Sequence, residues 1–170
     1  MSANSPTDAR KSSFAPFVAP DTRLLVLGTL PGEESRRMQR YYAHPRNLFW
    51  HLIGTAIGRD IASLDYESRV AALRKARIGL WDTIASARRT GSLDTAIREV
   101  EHNPLAELVA GLPDLRAVAF NGAKATRIGS ALLAGSGVEL ASLPSSSPAY
   151  AAMKLADKEA IWRNLSKFLA

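Results

Sequence analysis

The stretch Leu24-Leu-Val-Leu-Gly-Thr-Leu-Pro-Gly-Glu-Glu-Ser35 constrains the fold of this chain more than any other. Consecutive large aliphatic residues suit a strand buried on both faces, and such strands belong to parallel sheets covered by helices. The run ends on Gly28 and turns through Pro31-Gly32 into a segment rich in Arg and Tyr. At the carboxyl edge of a parallel sheet a strand-loop-helix unit aims backbone N–H groups at an anion, and open α/β sheets keep their sites there. A second loop of similar character, Leu143-Pro-Ser-Ser-Ser-Pro148, follows the apolar segment Val138-Glu-Leu-Ala-Ser142.

Buried strands are expected at Leu24–Gly28, Ile78–Asp82, 116–120 and 138–142, with helical patterns between them. This alternation is the βαβ signature of a parallel sheet. The helix after Asn47 places Leu48, Phe49, Leu52, Ile53, Ala56 and Ile57 on one face and stops at Gly58. Asp65 is placed to cap a helix carrying Val70 and Leu73, and Asn103-Pro104 reads as the cap and first position of another with Leu105, Leu108 and Val109. A helix over 122–133 links the third and fourth strands, and a last one carries Ile161, Leu165 and Phe168. Without repeats or low-complexity blocks, the chain is expected to form one domain over 14–170, preceded by a flexible polar tail over 1–13.

Twenty-two Lys and Arg against sixteen Asp and Glu give a net charge of +6, which favours a polyanionic partner. The absence of cysteine excludes disulfides, thiolate nucleophiles, Cys-ligated zinc and Cys-bound iron–sulfur clusters. His44, His51 and His102 lack metal-site spacing, so neither a metal nor a cofactor is expected. No apolar run reaches the roughly 18 residues of a membrane span, and no secretory signal pattern opens the chain. A cytoplasmic location without a membrane partner is the expectation.

Four segments, in order, carry a joint likeness: Gly28-Thr-Leu-Pro-Gly32; Tyr41-Tyr-Ala-His-Pro-Arg-Asn-Leu-Phe-Trp50; Gly79-Leu-Trp-Asp-Thr83 with Gly91-Ser-Leu-Asp94; and Leu143-Pro-Ser-Ser-Ser-Pro148. Together they resemble the hypoxanthine-DNA glycosylase branch of the uracil-DNA glycosylase superfamily. The resemblance implies a three-layer α/β/α sandwich around a four-stranded parallel sheet. It also implies an enzyme that flips a deaminated base out of DNA and hydrolyses its N-glycosidic bond without a metal; a monomer acting on double-stranded DNA is the expectation, and use of single-stranded DNA stays open. Two positions depart from the superfamily pattern. Leu30 stands where an Asp or Asn usually positions the attacking water, and Leu143 where a His often stabilises the departing base. In the hypoxanthine branch an Asn takes the polar duty, and the matching residue is Asn47.

Hydrolysis of an N-glycosidic bond asks for a held water and for donors to the leaving base. Asn47 offers a carbonyl acceptor and an amide donor for positioning, and its local context equally fits a helix cap. Asp82, at a strand end, is the expected reader of the base: a carboxylate accepts the N1–H of hypoxanthine or the N3–H of uracil and opposes the bare ring nitrogen of adenine or cytosine. Tyr42 is the stacking candidate, with Gly28 and Leu30 shaping the base pocket, while Phe49, Trp50 and Trp81 are assigned to packing. Ser145, Ser146 and Ser147 suit phosphates flanking an extruded nucleotide, and Pro148 and Tyr150 follow where a wedge would enter the stack. Arg36, Arg37, Arg40, Arg46, Arg88 and Arg89 are candidates for a basic rim, and Lys124 for a phosphate contact. The alternatives are a uracil or mismatch-specific glycosylase, a catalytically silent reader of damage, and a small enzyme acting on free nucleotides.

Overall fold

The computed structural model describes residues 10–170. Strand β1 (Arg10–Ser12) leads to β2 (Leu24–Gly28), whose residues are all buried. Helices α1 (Glu33–Met38), α2 (Phe49–Ile57) and α3 (Tyr66–Lys75) follow, then β3 (Ile78–Asp82), β4 (Ile84–Arg88) and β5 (Arg98–His102). Helix α4 (Leu105–Ala110), β6 (Ala117–Asn121), α5 (Ala123–Leu132), β7 (Glu139–Leu143) and α6 (Leu155–Arg163) complete the order. A parallel sheet is ordered β3-β2-β6-β7.

The period-two alternation of a strand divides β2 between two cores. Leu24 and Val26 join Phe49, Leu73 and Trp162 beneath α2, α3 and α6, whereas Leu25 and Leu27 join Leu105, Ala125 and Leu133 beneath α4 and α5. This is the three-layer α/β/α arrangement, with Trp81 in the second core and Phe49 and Trp50 in the first, as expected of them. Register pairs Gly28 with Asp82 and Leu27 with Phe120, so β2, β3 and β6 end at one edge of the sheet.

The helix ends follow local chemistry. The Asp65 carboxylate accepts the Ser68 N–H at 2.8 Å, and Gly58 closes α2 in the left-handed region with φ 80°. Asn103 does not cap α4 with its side chain. Its amide instead donates to the carbonyls of Asp82 at 2.8 Å and Ile84 at 3.2 Å, which ties the start of α4 to the end of β3.

Several expectations need correction. The third and fourth parallel strands each begin and end one residue later than expected. Strand β7 is mostly exposed rather than buried, because it is the edge strand of the sheet. Arg10–Ser12 pair antiparallel with β4 where the tail was expected to continue, and residues 1–9 lie outside the described part. A second sheet, ordered β1-β4-β5, is entirely additional to the expected set. The chain passes into it one residue after β3: Thr83 N–H donates to the Gly28 carbonyl at 2.8 Å and Ile84 N–H to that of Thr29 at 3.0 Å. Among the described residues no helix is long and apolar enough to cross a membrane.

Helix α5 meets the sheet through Gly129, where an added Cβ would stand 2.2 Å from Phe120 Cε1. Gly129→Ala should therefore destabilise the protein by about 1–3 kcal/mol through overpacking, despite alanine's better helix propensity. A denaturant titration showing an unchanged or raised midpoint would contradict this close packing.

Candidate active site

A cavity of about 920 Å³ opens at the carboxyl ends of β2, β3 and β6. All of the expected site residues line it: Gly28, Leu30, Tyr42, Asn47, Asp82, Ser145, Ser146, Ser147, Pro148 and Tyr150. Segments far apart in the chain converge because parallel strands deliver the loops that follow them to the same edge of the sheet.

Asp82 ends β3 at the cavity and is 5% exposed. Its Oδ2 is buried without a hydrogen-bond partner among the described residues. Burial pushes its carboxyl up to about 7, the Arg89 guanidinium pulls the other way, and the charge of Asp94 adds to the rise. Gly28 leaves the room this carboxyl needs, since an added Cβ there would lie 2.8 Å from Asp82 Oδ1 and 3.1 Å from the Tyr42 hydroxyl.

Tyr42 takes the left-handed backbone conformation with φ 51° and stacks on Phe49, ring centroids 3.9 Å apart and planes 16° off parallel. Its hydroxyl is buried beside Asn121 but outside hydrogen-bonding geometry. Burial, and after it the charge of Asp82, raises this phenol's pKa and keeps it a neutral O–H. Asn47 Oδ1 accepts the Phe49 N–H at 2.9 Å, a cap-type bond at the start of α2. That bond fixes which end of the amide is oxygen. It leaves a second lone pair on Oδ1 and the whole –NH₂ group for the cavity.

Leu30 reaches the cavity wall, yet its side chain is buried with Ile84, Ala87 and Ile97 in a small core under the second sheet. Leu143 is likewise buried, in the larger core. Both apolar replacements therefore serve packing.

Ser146 behaves differently from the hydroxyl donor expected of it. It is 1% exposed, and its Oγ accepts from Asn121 Nδ2 at 2.8 Å while its N–H donates to Asn121 Oδ1 at 2.9 Å. Its carbonyl accepts the Leu48 N–H at 3.0 Å. Ser146 is thus a knot joining the end of β6, the serine loop and the residue after Asn47. Ser145 Oγ accepts the Ser147 N–H at 3.1 Å and Ser147 Oγ that of Ala149 at 3.2 Å, so the loop is braced from within. Asn121, which by sequence alone fits an ordinary Asn-Gly turn, is the residue that holds this loop to β6.

Arg89 also differs from expectation. Placed in advance on a basic rim, it is 1% exposed and lies behind the cavity wall. Its Nη2 donates to the Pro31 carbonyl, and its Nη1 stands 4.0 Å from Asp94 Oδ1. Thr29 Oγ1 donates to the same Asp94 oxygen at 2.6 Å, and Lys124 Nζ to the Asp94 carbonyl at 3.1 Å. Of the other rim candidates, Arg37 pairs with Glu34, Arg88 with Glu99 at 2.5 Å, and Arg40 lies over the Tyr66 ring. Among the described residues no cluster of His, Asp and Glu has the makings of a metal site.

The geometry can be set beside known proteins. The family model described as the Uracil DNA glycosylase superfamily matches residues 15–166. A curated relative from Methanosarcina acetivorans named hypoxanthine DNA glycosylase is 40% identical over 157 residues, covering 91% of this chain and 99% of the relative. One of the same name from Methanosarcina barkeri is 43% identical over 115 residues, covering 68% and 73%. A solution NMR structure of a candidate uracil DNA glycosylase from Methanosarcina acetivorans superposes with a TM-score of 0.80 at 39% identity, over 92% of this chain and 99% of that one. Since the family match takes in both strand-end loops, the helix start at Asn47 and the strand-end carboxyl at Asp82, the chain belongs to the uracil DNA glycosylase superfamily.

Proposed function

We propose that this DNA glycosylase removes hypoxanthine from double-stranded DNA and leaves an abasic site. The observation that carries the choice of a deaminated base over its parent is Asp82, a buried carboxyl with an unpartnered oxygen on the cavity wall. As a carboxylate it accepts the N1–H of hypoxanthine and repels the N1 lone pair of adenine, which separates the deaminated base from its parent. Both curated relatives carry the name hypoxanthine DNA glycosylase, which supports hypoxanthine among the deaminated bases. All of these groups come from one chain, so a single copy suffices.

In the reaction the bond from the sugar to the base breaks and its electron pair leaves with the base, while water supplies the hydroxyl at the anomeric carbon and its remaining proton goes to the released base. The amide of Asn47, already oriented by the Phe49 N–H, holds that water through its free lone pair. Tyr42 offers its ring to the base, while the hydroxyls of Ser145 and Ser147 and the rim at Pro148 and Tyr150 flank the extruded nucleotide.

Single-turnover incubation with duplexes carrying hypoxanthine, xanthine, uracil or a thymine mismatch, followed by alkaline cleavage of abasic sites, tests this directly. Scission at hypoxanthine is the expected result. Scission at uracil alone would reassign the base, and binding without scission would make the protein a silent reader.

Two variants probe the roles. Asn47→Ala should lower the excision rate by about two orders of magnitude, as loss of a positioning group does, and cost about 1 kcal/mol of stability from the lost cap. Asn47→Asp keeps an acceptor for both the Phe49 N–H and the water, so it should retain the cap and excise faster than Asn47→Ala. A normal rate in Asn47→Ala would leave the residue only a cap.

For Asp82 the pH sign follows from its raised pKa. The carboxylate is the form that accepts N1–H, so kcat/KM should climb with pH up to about 7 and fall below it with the ionised fraction. The folded pKa lies above the unfolded one, so the folded protein holds this proton more tightly and its stability drops as pH rises from about 4 to 7. Asp82→Asn should abolish the acid limb of excision, relax discrimination against adenine, and raise Tm more at about pH 8 than at about pH 5. An acid limb that persists in Asp82→Asn would assign the titration to another group.

A further inference from the structure

A second, smaller cavity of about 360 Å³ borders the turn that carries Asn47, and neither base reading nor hydrolysis uses it. The Asn47 N–H donates to the His44 carbonyl at 3.0 Å, which closes this turn. Tyr42, His44 and Asn47 line both cavities, so the turn is the partition between them. The second cavity is lined by Arg69, His44 and His51 but by no carboxylate. Glu159 stands 3.4 Å from His51 Nε2 and occupies that imidazole.

Arg69, in the first turn of α3, is half-buried and held in place. Its Nη2 donates to the Ala62 carbonyl, and its guanidinium lies over the Trp50 ring, 5.6 Å from the centroid. Trp50 in turn donates its indole N–H to the Tyr42 carbonyl at 3.2 Å, so the cation rests on a ring tied to the same turn. Yet Arg69 Nε is buried without a hydrogen-bond partner, and Arg69 forms no ion pair among the described residues. Its charge is felt by Asp65, but that carboxylate accepts the Ser68 N–H as the cap of α3. His44 supplies a second donor: its Nδ1 accepts the Arg46 N–H at 3.1 Å, so the ring proton is on Nε2.

We propose that this second cavity is a phosphate site, in which Arg69 anchors the anion and the His44 imidazole donates to it from the partition. A buried N–H without an acceptor is costly, and a phosphate oxygen supplies one. The planar guanidinium fork suits phosphate, and a fork already fixed on an aromatic face loses little freedom on binding. Two sources have this chemistry: a phosphodiester of the strand whose nucleotide enters the neighbouring cavity, and free phosphate. The strand as source rests on the base-flipping reading, whereas the chemistry of the cavity does not. With a strand in place, Arg69 adds a backbone anchor from α3, outside both strand-end loops.

The test follows the Arg69 Nε–H and His44 ring resonances of the wild type by heteronuclear NMR as inorganic phosphate is added, with sodium chloride at equal ionic strength as the control. Saturable shifts with phosphate and none with chloride are expected. In parallel, an uncharged methylphosphonate is placed at each backbone position in turn of a duplex carrying a tetrahydrofuran abasic-site analogue, which cannot be excised. If the strand fills the cavity, one position near the analogue should weaken wild-type binding about tenfold and have no further effect in Arg69→Gln. The slope of log Kd against log salt concentration should fall by about one in Arg69→Gln and recover in Arg69→Lys. A position coupled to Arg69 assigns the strand as source, and phosphate shifts without such a position assign free phosphate. Neither shifts nor a coupled position would overturn the site. If Arg69→Gln does not fold, the wild-type phosphate titration still decides, and Arg69→Lys, which keeps the charge but not the fork, serves in the coupling. If the wild type binds no duplex, the DNA reading fails separately and the phosphate titration again decides the site.

Discussion

The buried guanidinium of Arg89 is the constraint on which the cavity wall rests. Taking a cation out of water costs several kcal/mol unless nearby charges and hydrogen bonds offset it. Here the offset comes from groups the site needs in place: the Pro31 carbonyl after β2, the Asp94 carboxylate in the loop after β4, and the field of Asp82 at the end of β3. Burial alone would leave Asp82 neutral. Asp94 pushes it further that way, and Arg89 draws it back. The carboxyl consequently titrates near neutrality, where a small change in its surroundings decides whether it accepts or donates a hydrogen bond.

A second lock works on the opposite wall and carries no charge. Asn121 spends both ends of its amide on Ser146, and the Ser146 carbonyl takes the Leu48 N–H. Through that chain the end of β6 sets where α2 begins, and hence where Asn47 stands. Catalysis by positioning depends on such fixed frames, since an amide has no proton chemistry to offer at neutral pH. The ionic lock behind Asp82 and the neutral lock behind Asn47 give the two residues different electrostatic surroundings within one cavity.

Much of the scaffold is legible in the sequence because buried parallel strands read as aliphatic runs. Leu24–Gly28 and Ile78–Asp82 fall where their composition puts them, and Asp65 and Gly58 mark helix ends by their own chemistry. The second sheet is not legible. Arg98-Glu-Val-Glu-His102 is mostly exposed, and Ile84-Ala-Ser-Ala-Arg88 has too few large apolar residues to stand out. Strand β7 misleads in the other sense, since Leu140 lies on an exposed edge that sequence cannot distinguish from an interior. In the cavity, Asp82 stands at the end of β3, where its strand-end position in the sequence puts it. The burial of Arg89 and Ser146 is not legible, because an arginine in a charged run and a serine in a serine run look solvated. Only the tertiary fold shows that each is bonded within the protein.

The two leucines at polar positions of the superfamily pattern find their reason in the same packing. Leu30 is buried with Ile84, Ala87 and Ile97, so the loop after β2 is anchored by apolar contact to the second sheet. Leu143 does the same for the serine loop by joining the larger core beneath α2 and α6. Each loop thereby gains rigidity and gives up a side chain that could touch the reacting sugar. The polar function then has to come from a group outside these two positions. In the proposed reaction the start of α2 meets that need: Asn47 lies next to Leu48, which is bonded to Ser146, and its own amide is fixed by the first N–H of the helix. Moving the polar group to a helix start leaves both strand-end loops free to act as walls. The chemistry then depends on whether the helix begins where Asn121 and Ser146 hold it.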